Sequence, residues 1–208
     1  GLKLAAEGAN IVIASKSIEE NPKLGGTIFS AATEMEAAGG KALAVQCDIR
    51  FEDQIDNVVQ QAADKFGGID ILINNVGGGG RWGTEEIIDT PISTWAEVYQ
   101  KNAGVASHLT MLALPGMVEK NWGRVVTVTS IFGNTVGGRP WFNMAKVSQS
   151  ILMKNLAQNK SFSGAGITFN SVAPGAVMIP DKGWTEMEKN QPEEFNTFYN
   201  SLPRGKFG

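Results

Sequence analysis

The sequence predicts a single α/β domain built on a doubly wound parallel sheet with helices on both faces, a three-layer arrangement. Three observations predict it: short apolar runs rich in β-branched residues, amphipathic stretches between them, and polar residues or glycines directly after them. Nearly continuous apolar runs are typical of parallel strands buried on both faces, and their alternation with helices requires right-handed crossovers. The predicted strands are Ala9–Ala14, Ala42–Cys47, Ile69–Asn74, Arg124–Thr129 and Ile167–Val172.

Amphipathic stretches between these strands predict the helices. In one of them, Ile55, Val58 and Ala62 recur at helical spacing, with polar residues between them. Glycine pairs that begin at Gly39 and Gly67 mark helix ends, because glycine readily adopts the left-handed conformation that closes a helix. The predicted helices are Ser30–Ala38, Asp53–Phe66, Ser93–Lys120 and Trp141–Lys160.

The composition is that of an ordinary globular protein, and it narrows the function classes. A chain of 208 residues with 42% hydrophobic and 19% charged residues fits one domain with one core. The net charge of −3 comes without a basic stripe, so we expect no nucleic-acid partner. The apolar runs are too short to span a membrane, and we expect no leader peptide. Because Cys47 is the only cysteine, a reducing, cytoplasmic location is expected.

Each predicted strand is followed by residues that suit a ligand site. In doubly wound sheets, ligands bind at the carboxyl ends of the strands. The run Gly77–Gly80 would let the backbone approach a flat ligand closely, although a flexible loop is the alternative interpretation. Pro174-Gly175 has a simple turn as its alternative. The residues after the strands are Ser15-Lys16, Asp48, Asn74–Gly77, Ser130 and Pro174-Gly175.

These and other motifs together resemble the short-chain dehydrogenase/reductase family, in particular its 3-oxoacyl-carrier-protein reductases. The resemblance covers nearly the whole chain, and it implies an NAD(P)-binding Rossmann fold over residues 1–208. It also implies that the family's glycine-rich first strand and loop would lie upstream of Gly1, and a final strand downstream of Gly208. The motifs that carry the resemblance, in chain order, are Leu4–Ala9, Asp48-Ile49, Asn74–Gly77, Asn102, Ser130, Lys146 and Asn170–Gly175.

The resemblance implies a nicotinamide dinucleotide as cofactor. Ser15 and Lys16 offer a hydroxyl and a cation where NAD-specific sites place a carboxylate, so NADP(H) is expected rather than NAD(H). Lys23 would add positive charge, and a solvated surface lysine is the alternative for Lys16. Asp48 is expected to bind the adenine, with capping of a helix that starts near Phe51 as the alternative. The other implied cofactor-binding residues are Ile49, Asn75, Val76, Gly77, Lys146, Pro174, Gly175 and Val177.

The implied catalytic residues are Asn102, Ser130 and Lys146, with Phe142 where the family has a tyrosine. In the family, the tyrosine donates or accepts the proton, and the lysine lowers the tyrosine's pKa and holds the nicotinamide ribose. The serine orients the carbonyl, and the asparagine kinks its helix and holds a water that connects to the lysine. Phe142 and Lys146 keep the four-residue spacing that puts both on one helix face. The two tyrosines, Tyr99 and Tyr199, lie elsewhere.

The resemblance therefore leads to two main hypotheses of function. The first is an NADP(H)-dependent oxidoreductase that interconverts a small-molecule carbonyl and a secondary alcohol, with 3-oxoacyl thioester reduction as the expected reaction. The second is a dinucleotide-binding scaffold, or pseudo-enzyme, in which Phe142 has ended catalysis. A dehydratase or epimerase is a third class, and it would require another acid near the site.

A homodimer or homotetramer is the implied assembly, packed through the two long helices Ser93–Lys120 and Trp141–Lys160. Small residues would allow those helices to approach a second subunit closely. They are Ala103, Gly104, Ala106, Ala145 and Ser148.

The remaining candidates are weaker. His108 is expected to be structural, because no cluster of metal ligands surrounds it in sequence. Arg81 and Trp82 are expected near the site entrance, and Arg139 is expected to contact an anionic substrate, a second subunit or solvent. Ile179 stands where the family often has a threonine. The variable segment Met178–Leu202 is expected to form a lid, with Trp184, Phe195, Phe198 and Tyr199 as an apolar wall.

Overall fold

A computed structural model of the protein describes residues 1–20, 25–80, 82–84, 86–179 and 183–208. The described residues form parallel strands flanked by helices, which confirms the predicted α/β class. Each predicted strand is present, with bounds that differ from the prediction by two residues or fewer. The strands are β1 (Asn10–Ser15), β2 (Lys41–Gln46), β3 (Ile71–Asn74), β4 (Gly123–Val128) and β5 (Ile167–Val172).

All four predicted helices are also present. The long stretch Ser93–Lys120 is divided into two α-helices by a π-helical turn, Gln100–Gly104. Gly67, with φ of 78°, closes the predicted helix 53–66 in the left-handed conformation. Short 3-10 turns occupy Ile87–Asp89 and Ile131–Gly133. The α-helices are α1 (Leu2–Ala6), α2 (Ile28–Ala37), α3 (Glu52–Phe66), α4 (Ile92–Tyr99), α5 (Val105–Glu119), α6 (Pro140–Gln158), α7 (Lys160–Gly164), α8 (Trp184–Asn190) and α9 (Pro192–Ser201).

The strands form two parallel sheets among the described residues, where a single sheet was predicted. One sheet pairs β1 with β2, from Asn10 opposite Lys41 to Ser15 opposite Gln46. The other has the order β3-β4-β5. Within the described part of the chain, β1 and β3 each have one edge without a ladder partner. We call the space between these two edges the inter-sheet gap.

Burial of the strands also differs from the prediction. The apolar runs predict cover on both faces, yet along β3 Leu72 and Asn74 are buried while Ile71 and Ile73 are about half exposed. The physical reason is that helix α5 packs against the face of β3 that carries Leu72. No described element covers the opposite face of this short strand to the same extent.

Two hydrophobic clusters fill the space between sheets and helices. One lies between the sheet β3-β4-β5 and helices α5 and α6, and contains Met117, Val125 and Met153. The other lies between β2, α3 and α5, and contains Val45 and Ile55. The side chain of Leu109, on α5, packs against both clusters. Helix α5 therefore connects the two halves of the domain.

The small residues of the two long helices mostly pack inside the domain. Ala103, Ala106 and Ala145 are buried within the chain, so the prediction that they lie open to a second subunit is wrong for these three. Larger apolar side chains are exposed on these helices instead. They are Met111 and Val118 on α5 and Met144, Val147 and Ile151 on α6.

Candidate active site

The carboxyl ends of β4 and β5 meet through backbone hydrogen bonds. The N–H of Thr129 donates to Val172 O (2.8 Å), and the N–H of Ile131 donates to Pro174 O (3.1 Å). In the other sheet, the N–H of Cys47 donates to Ser15 O (3.0 Å). Because every strand is parallel to its neighbour, the polar exits of each sheet lie at one edge, as predicted.

Asn74, the last residue of β3, is structural. Its buried side-chain amide donates to the hydroxyl oxygens of Thr110 (3.1 Å) and Thr127 (3.3 Å). These bonds join β3 to α5 and β4. The following residues Asn75, Val76 and Gly77 are exposed, as residues that meet a ligand would be.

The π-helical turn places Asn102 against the glycine run after β3. The fully buried side chain of Asn102 donates to Gly78 O and Val98 O, both at 2.8 Å, and accepts from the Gly78 N–H at 3.1 Å. A Cβ atom added to Gly77 would lie 2.4 Å from the Asn102 side-chain oxygen. The close approach therefore requires glycine at position 77, and Asn102 fixes the loop that begins there.

Lys146 is a buried cation at the same place. Its Nζ donates to Val128 O (3.2 Å) at the end of β4 and to Gln149 Oε1 (3.0 Å). Burial lowers the pKa of Lys146 from 10.5 to about 8, since the charged form loses hydration. A Cβ on Gly77 would lie 3.1 Å from Nζ, so Lys146 and the glycine run are in contact distance. The predicted pair Asn102 and Lys146 is thus brought together.

Gln149 is a site residue that the sequence reasoning missed. Its fully buried amide donates to the backbone oxygen of Asn102 (3.0 Å) while its oxygen accepts from Lys146. The one signal in the sequence is an amide three residues after Lys146, on the same helix face. An amide side chain at this spacing indicates a hydrogen-bond partner for Lys146.

Phe142 lies in an apolar cluster beside Lys146. The Lys146 Nζ is 5.6 Å from the centroid of the Phe142 ring. The ring packs with the cluster of Val98, Trp141 and Ala145, together with Trp82 and Trp95. A Cβ on Gly80 would meet this ring at 3.5 Å. The side chain at the tyrosine position therefore provides an apolar wall between the glycine run and α6.

Neither tyrosine lies at the position of the missing phenol. The Tyr199 ring is packed in the segment after β5, 6.0 Å from Phe195 and 5.7 Å from Phe207 between centroids. Tyr99 is exposed at the end of α4. Both placements agree with the prediction that these residues lie elsewhere.

Ser130 follows β4 and begins the 3-10 turn 131–133. Its Oγ accepts a hydrogen bond from the Phe132 N–H (3.2 Å). In that turn, a Cβ on Gly133 would lie 3.0 Å from the backbone oxygen of Lys146, so the turn packs closely on α6. Ser130 is two residues after Val128, whose carbonyl oxygen accepts a hydrogen bond from Lys146, so the serine follows directly on the strand end that holds the lysine.

Asp48 does not cap helix α3, so that alternative interpretation is wrong. The N-cap residue is Phe51, and it makes no side-chain cap. The Asp48 carboxylate instead accepts from Arg50 Nη2 (2.6 Å) and from the Arg50 backbone N–H (3.1 Å). These bonds hold the pKa of Asp48 at about 2, with a smaller contribution from the charge of Lys16. Ile49 packs half-buried against the cluster of β2 and α3.

The first strand exit is only partly described. Ser15 Oγ accepts from the Ser17 N–H (3.3 Å), and the side chain of Lys16 is exposed. Because Ser15 lies opposite Gln46 in the parallel ladder, the exits of β1 and β2 are side by side. Lys23, the additional cation of the prediction, lies outside the described residues.

An aromatic cluster occupies the predicted lid. The Trp184 and Phe198 rings stack with centroids 4.2 Å apart, and Phe207 lies against both. The Gly208 N–H donates to Ala176 O (3.0 Å), which ties the chain end to the segment after Gly175. Val177 and Ile179 are exposed beside that segment.

Arg139 holds the loop at the predicted entrance. Its Nη1 donates to the backbone oxygens of Trp82 and Thr84. The Lys101 Nζ lies 4.0 Å from the centroid of a Trp82 ring, a cation–π contact. Arg139 thus has a structural use within the chain, and Arg81 lies outside the described residues.

His108 is structural, as predicted. Its Nε2 lies 3.0 Å from a carboxylate oxygen of Asp56, which connects α5 to α3. The described residues contain no group of three or more side chains suited to hold a metal ion. Among the described helices, none is long and apolar enough to cross a membrane.

Comparison with known proteins agrees with this arrangement. A family profile described as short chain dehydrogenase matches residues 2–192. Hydroxysteroid dehydrogenase-like protein 2 of Danio rerio is 61% identical over 74 residues, and that of Homo sapiens is 60% identical over the same length. Each alignment covers 36% of this chain and 18% of the relative. The match therefore spans less than a fifth of these curated relatives.

Solved structures match over most of the chain. L-Sorbose reductase of Gluconobacter frateurii, complexed with NADPH and L-sorbose, superposes with a TM-score of 0.82 at 25% identity. That match covers 100% of this chain and 78% of the reductase. A 3-ketoacyl-ACP reductase of Sinorhizobium meliloti has a TM-score of 0.75 at 28% identity, covering 86% of this chain and 67% of that one.

Proposed function

Because this chain belongs to the short-chain dehydrogenase family, we propose that it is an NADP(H)-dependent oxidoreductase that interconverts a carbonyl and a secondary alcohol. The observation that carries the proposal is Lys146, a buried ammonium that donates to Val128 O at the end of β4 and lies beside Gly77 of the glycine run. A buried cation is costly unless something compensates it. A ligand with hydroxyl groups, such as a ribose, provides that compensation.

The described residues fit a nicotinamide dinucleotide. An ammonium has three donors, and the described contacts use two of them, on Val128 O and Gln149 Oε1. The glycine run gives a backbone surface that a Cβ would fill at position 77. We assign Lys146 and Asn75 to Gly77 to the nicotinamide ribose, Asp48 and Ile49 to the adenine, and the segment of Pro174, Gly175 and Val177 to the nicotinamide.

NADP(H) is the proposed form of the cofactor. Ser15 and the exposed cation Lys16 lie at the exit of β1, where a carboxylate would repel a 2′-phosphate. The L-sorbose reductase that resembles this chain was solved with NADPH. Another similar structure, at 25% identity, is described as an NADH-dependent reductase, so the charge at Lys16 is the point to test.

The proposed substrate class is a 3-oxoacyl thioester or a similar ketone. The 3-ketoacyl-ACP reductase among the similar structures supports it, as does the apolar wall of Phe142 and the lid aromatics. When bound, the nicotinamide would supply hydride to the carbonyl carbon. Ser130 would orient the carbonyl oxygen. Lys146 would hold the ribose and supply positive charge, and a water beside it would pass a proton from solvent to the carbonyl oxygen, in place of the phenol that Phe142 lacks.

A dinucleotide-binding scaffold without turnover is the second candidate function. The observation in its favour is the position of Phe142, which packs into the cluster of Val98 and Trp141 while both tyrosines lie elsewhere. In this second candidate, the chain binds the dinucleotide through the same residues but does not catalyse hydride transfer.

The decisive experiment separates binding from turnover in the full-length protein. Fluorescence titration would measure the Kd of NADPH and NADH, and loss of NADPH absorbance would report turnover of 3-oxoacyl thioesters, ketones and sugars. We expect tighter binding of NADPH than NADH, a preference that Lys16→Glu reverses and the distant Lys3→Glu leaves unchanged. Binding without turnover of any substrate would favour the scaffold, and absence of binding would refute both candidates.

We further propose that a parallel strand occupies the inter-sheet gap in the whole protein. In the usual doubly wound order 3-2-1-4-5-6, the first strand lies between the second and the fourth. In this chain, β1 corresponds to the second strand of that order and β3 to the fourth. The break between β1 and β3 therefore falls where the first strand would lie. The half-exposed Ile71 and Ile73 on β3 would gain cover from such a strand and the elements that flank it.

We also propose a homodimer or homotetramer formed through α5 and α6. The exposed apolar side chains of these helices support it, in particular Met111, Met144 and Ile151. Large apolar side chains gain free energy when a second subunit removes them from water. The helices are the ones that the family resemblance assigns to the interface.

A further inference from the structure

Gln149 joins the two buried groups of the candidate active site. Its side-chain oxygen accepts from Lys146 Nζ (3.0 Å), and its amide nitrogen donates to the backbone oxygen of Asn102 (3.0 Å). All three residues are buried, and Gln149 and Asn102 are fully so. The bridge thus connects α6 to the π-helical turn by one side chain.

The chemistry of the two partners fixes the orientation of this amide. An ammonium only donates hydrogen bonds, and a backbone carbonyl only accepts them. The amide oxygen must therefore face Lys146, and the amide nitrogen must face Asn102. The family resemblance implies a water between the asparagine and the lysine. Unlike water, an amide does not pass protons on readily, so the bridge acts on position and charge.

The surroundings of Lys146 determine how strongly the hydrogen bond to Gln149 affects its ionisation. The neighbours described for its Nζ are uncharged: Val128 O, Gln149 Oε1, the Phe142 ring and the glycine at position 77. Burial is the cause that lowers the pKa of this lysine. An acceptor that bonds to the charged form raises the pKa of the lysine, and so opposes the effect of burial. Of the acceptors at Nζ, Gln149 Oε1 is the one supplied by a side chain.

We propose that Gln149 is a positioning residue that keeps Lys146 protonated and fixes its ammonium against the glycine run. It takes the place that a bridging water would have between Lys146 and Asn102. Two N–H groups of the ammonium are held by Val128 O and Gln149 Oε1, and this fixes the direction of the third N–H. The part of this inference that concerns cofactor affinity rests on the proposed function; the effect on Lys146 itself does not.

The test measures ionisation of Lys146 directly in the full-length protein. Lysine labelled with carbon-13 at Cε reports the pKa of each lysine by NMR, and Lys146→Met identifies the signal. Gln149→Met removes both hydrogen bonds at similar volume, and we expect the pKa of Lys146 to fall by about one unit. Gln149→Glu places a carboxylate beside the ammonium, and we expect that pKa to rise instead.

Ser150→Ala is the matched control. Ser150 is buried on the same helix, and its hydroxyl donates to Lys146 O (3.1 Å) without contacting Nζ. A general loss of packing would move the pKa of Lys146 in the same way in Ser150→Ala and Gln149→Met. Circular dichroism identifies any variant that fails to fold, and either folded Gln149 variant is sufficient for the test.

The outcomes separate this inference from the proposed function. A Lys146 pKa that stays within about 0.3 units in a folded Gln149 variant overturns the positioning role, because a lost charge-assisted bond must change ionisation. Opposite shifts in Gln149→Met and Gln149→Glu support it, whether or not NADPH binds. If NADPH binds to the natural protein, we expect Gln149→Met to weaken binding more steeply as the pH rises from 7 to 9.

Discussion

The ammonium of Lys146 lies 5.6 Å from the centre of the Phe142 ring, one helical turn away on α6. A tyrosine at that position would place a phenol near a buried cation, and the cation would lower the pKa of the phenol. Phenylalanine keeps the apolar contact and removes the acid. Cofactor binding and proton transfer, which the family resemblance joins in one site, are therefore separable here, because the proposed binding residues are present and the phenol is not.

Phe142→Tyr is expected to raise the rate of carbonyl reduction. General acid catalysis typically contributes about 100- to 10,000-fold, and the other residues of the implied set are present. The measurement is kcat for a 3-oxoacyl thioester with NADPH, followed by absorbance. Phe29→Tyr, at an exposed position on α2, is the control and should leave kcat unchanged. A lower kcat in Phe142→Tyr would mean that the site has its own chemistry built around phenylalanine.

The stability of the protein should depend on pH through Lys146. Its pKa is lowered by burial to about 8, so between pH 8 and 10.5 the unfolded chain binds more protons than the folded one. The free energy of unfolding therefore rises with pH in that window, relative to Lys146→Met, by roughly 1 kcal/mol per pH unit. Urea unfolding at several pH values measures it. The exposed Lys154→Met on the same helix is the control, and parallel curves for both variants would contradict the prediction.

Gly77→Ala should disturb Asn102 and Lys146 together. The new Cβ would lie 2.4 Å from the Asn102 oxygen, which is held by the Gly78 N–H and has no free space to move into. Overpacking of this kind typically costs about 1–3 kcal/mol. We expect a lower unfolding free energy and at least tenfold weaker NADPH binding. Gly164→Ala, where the new Cβ meets nothing within 4 Å, should lower neither.

The proposed assembly makes a prediction about oligomeric state. Glutamate at Val147 and Ile151 would bring charge into the exposed apolar part of α6, and charges are costly when buried in an interface. Sedimentation velocity should show the double variant as monomers while the natural protein is a dimer or tetramer. Ile88→Glu, at a highly exposed position on the 3-10 turn, should leave the assembly intact. A natural protein that sediments as a monomer would refute the proposal.

The strands and helices could be predicted from sequence because their signals are local. Apolar runs and amphipathic spacing depend on neighbouring residues, so β5 was predicted with its observed bounds. The π-helical turn at Asn102 does not follow from these local signals, although the family resemblance implies a kink of the helix there. It interrupts a stretch whose apolar pattern continues on both sides, and only the contacts of Asn102 with Gly78 show its purpose.

The candidate site was predicted less completely, because its residues act through partners distant in sequence. The positions of Asn102 and Lys146 followed from motifs, yet the bridge by Gln149 needs both of them in place before it is visible. Asp48 shows the same limit for the helix-cap interpretation, which is the alternative to adenine binding. An aspartate before a helix suggests a cap, but Arg50 is two residues away and offers a stronger, charged partner. Competition between partners decides such cases, and sequence spacing does not show it.

The division of the strands into two sheets has a consequence for how the molecule unfolds. Among the described residues no ladder hydrogen bonds link β1 to β3, so the two halves are joined by side-chain packing of α3 and α5, with Leu109 in both clusters. Without a strand in the inter-sheet gap, hydrogen bonds of one half can open while those of the other persist, as separate cooperative units. A strand in the inter-sheet gap would bond to both edges at once. Such a strand would make the whole domain exchange its amide protons as one unit.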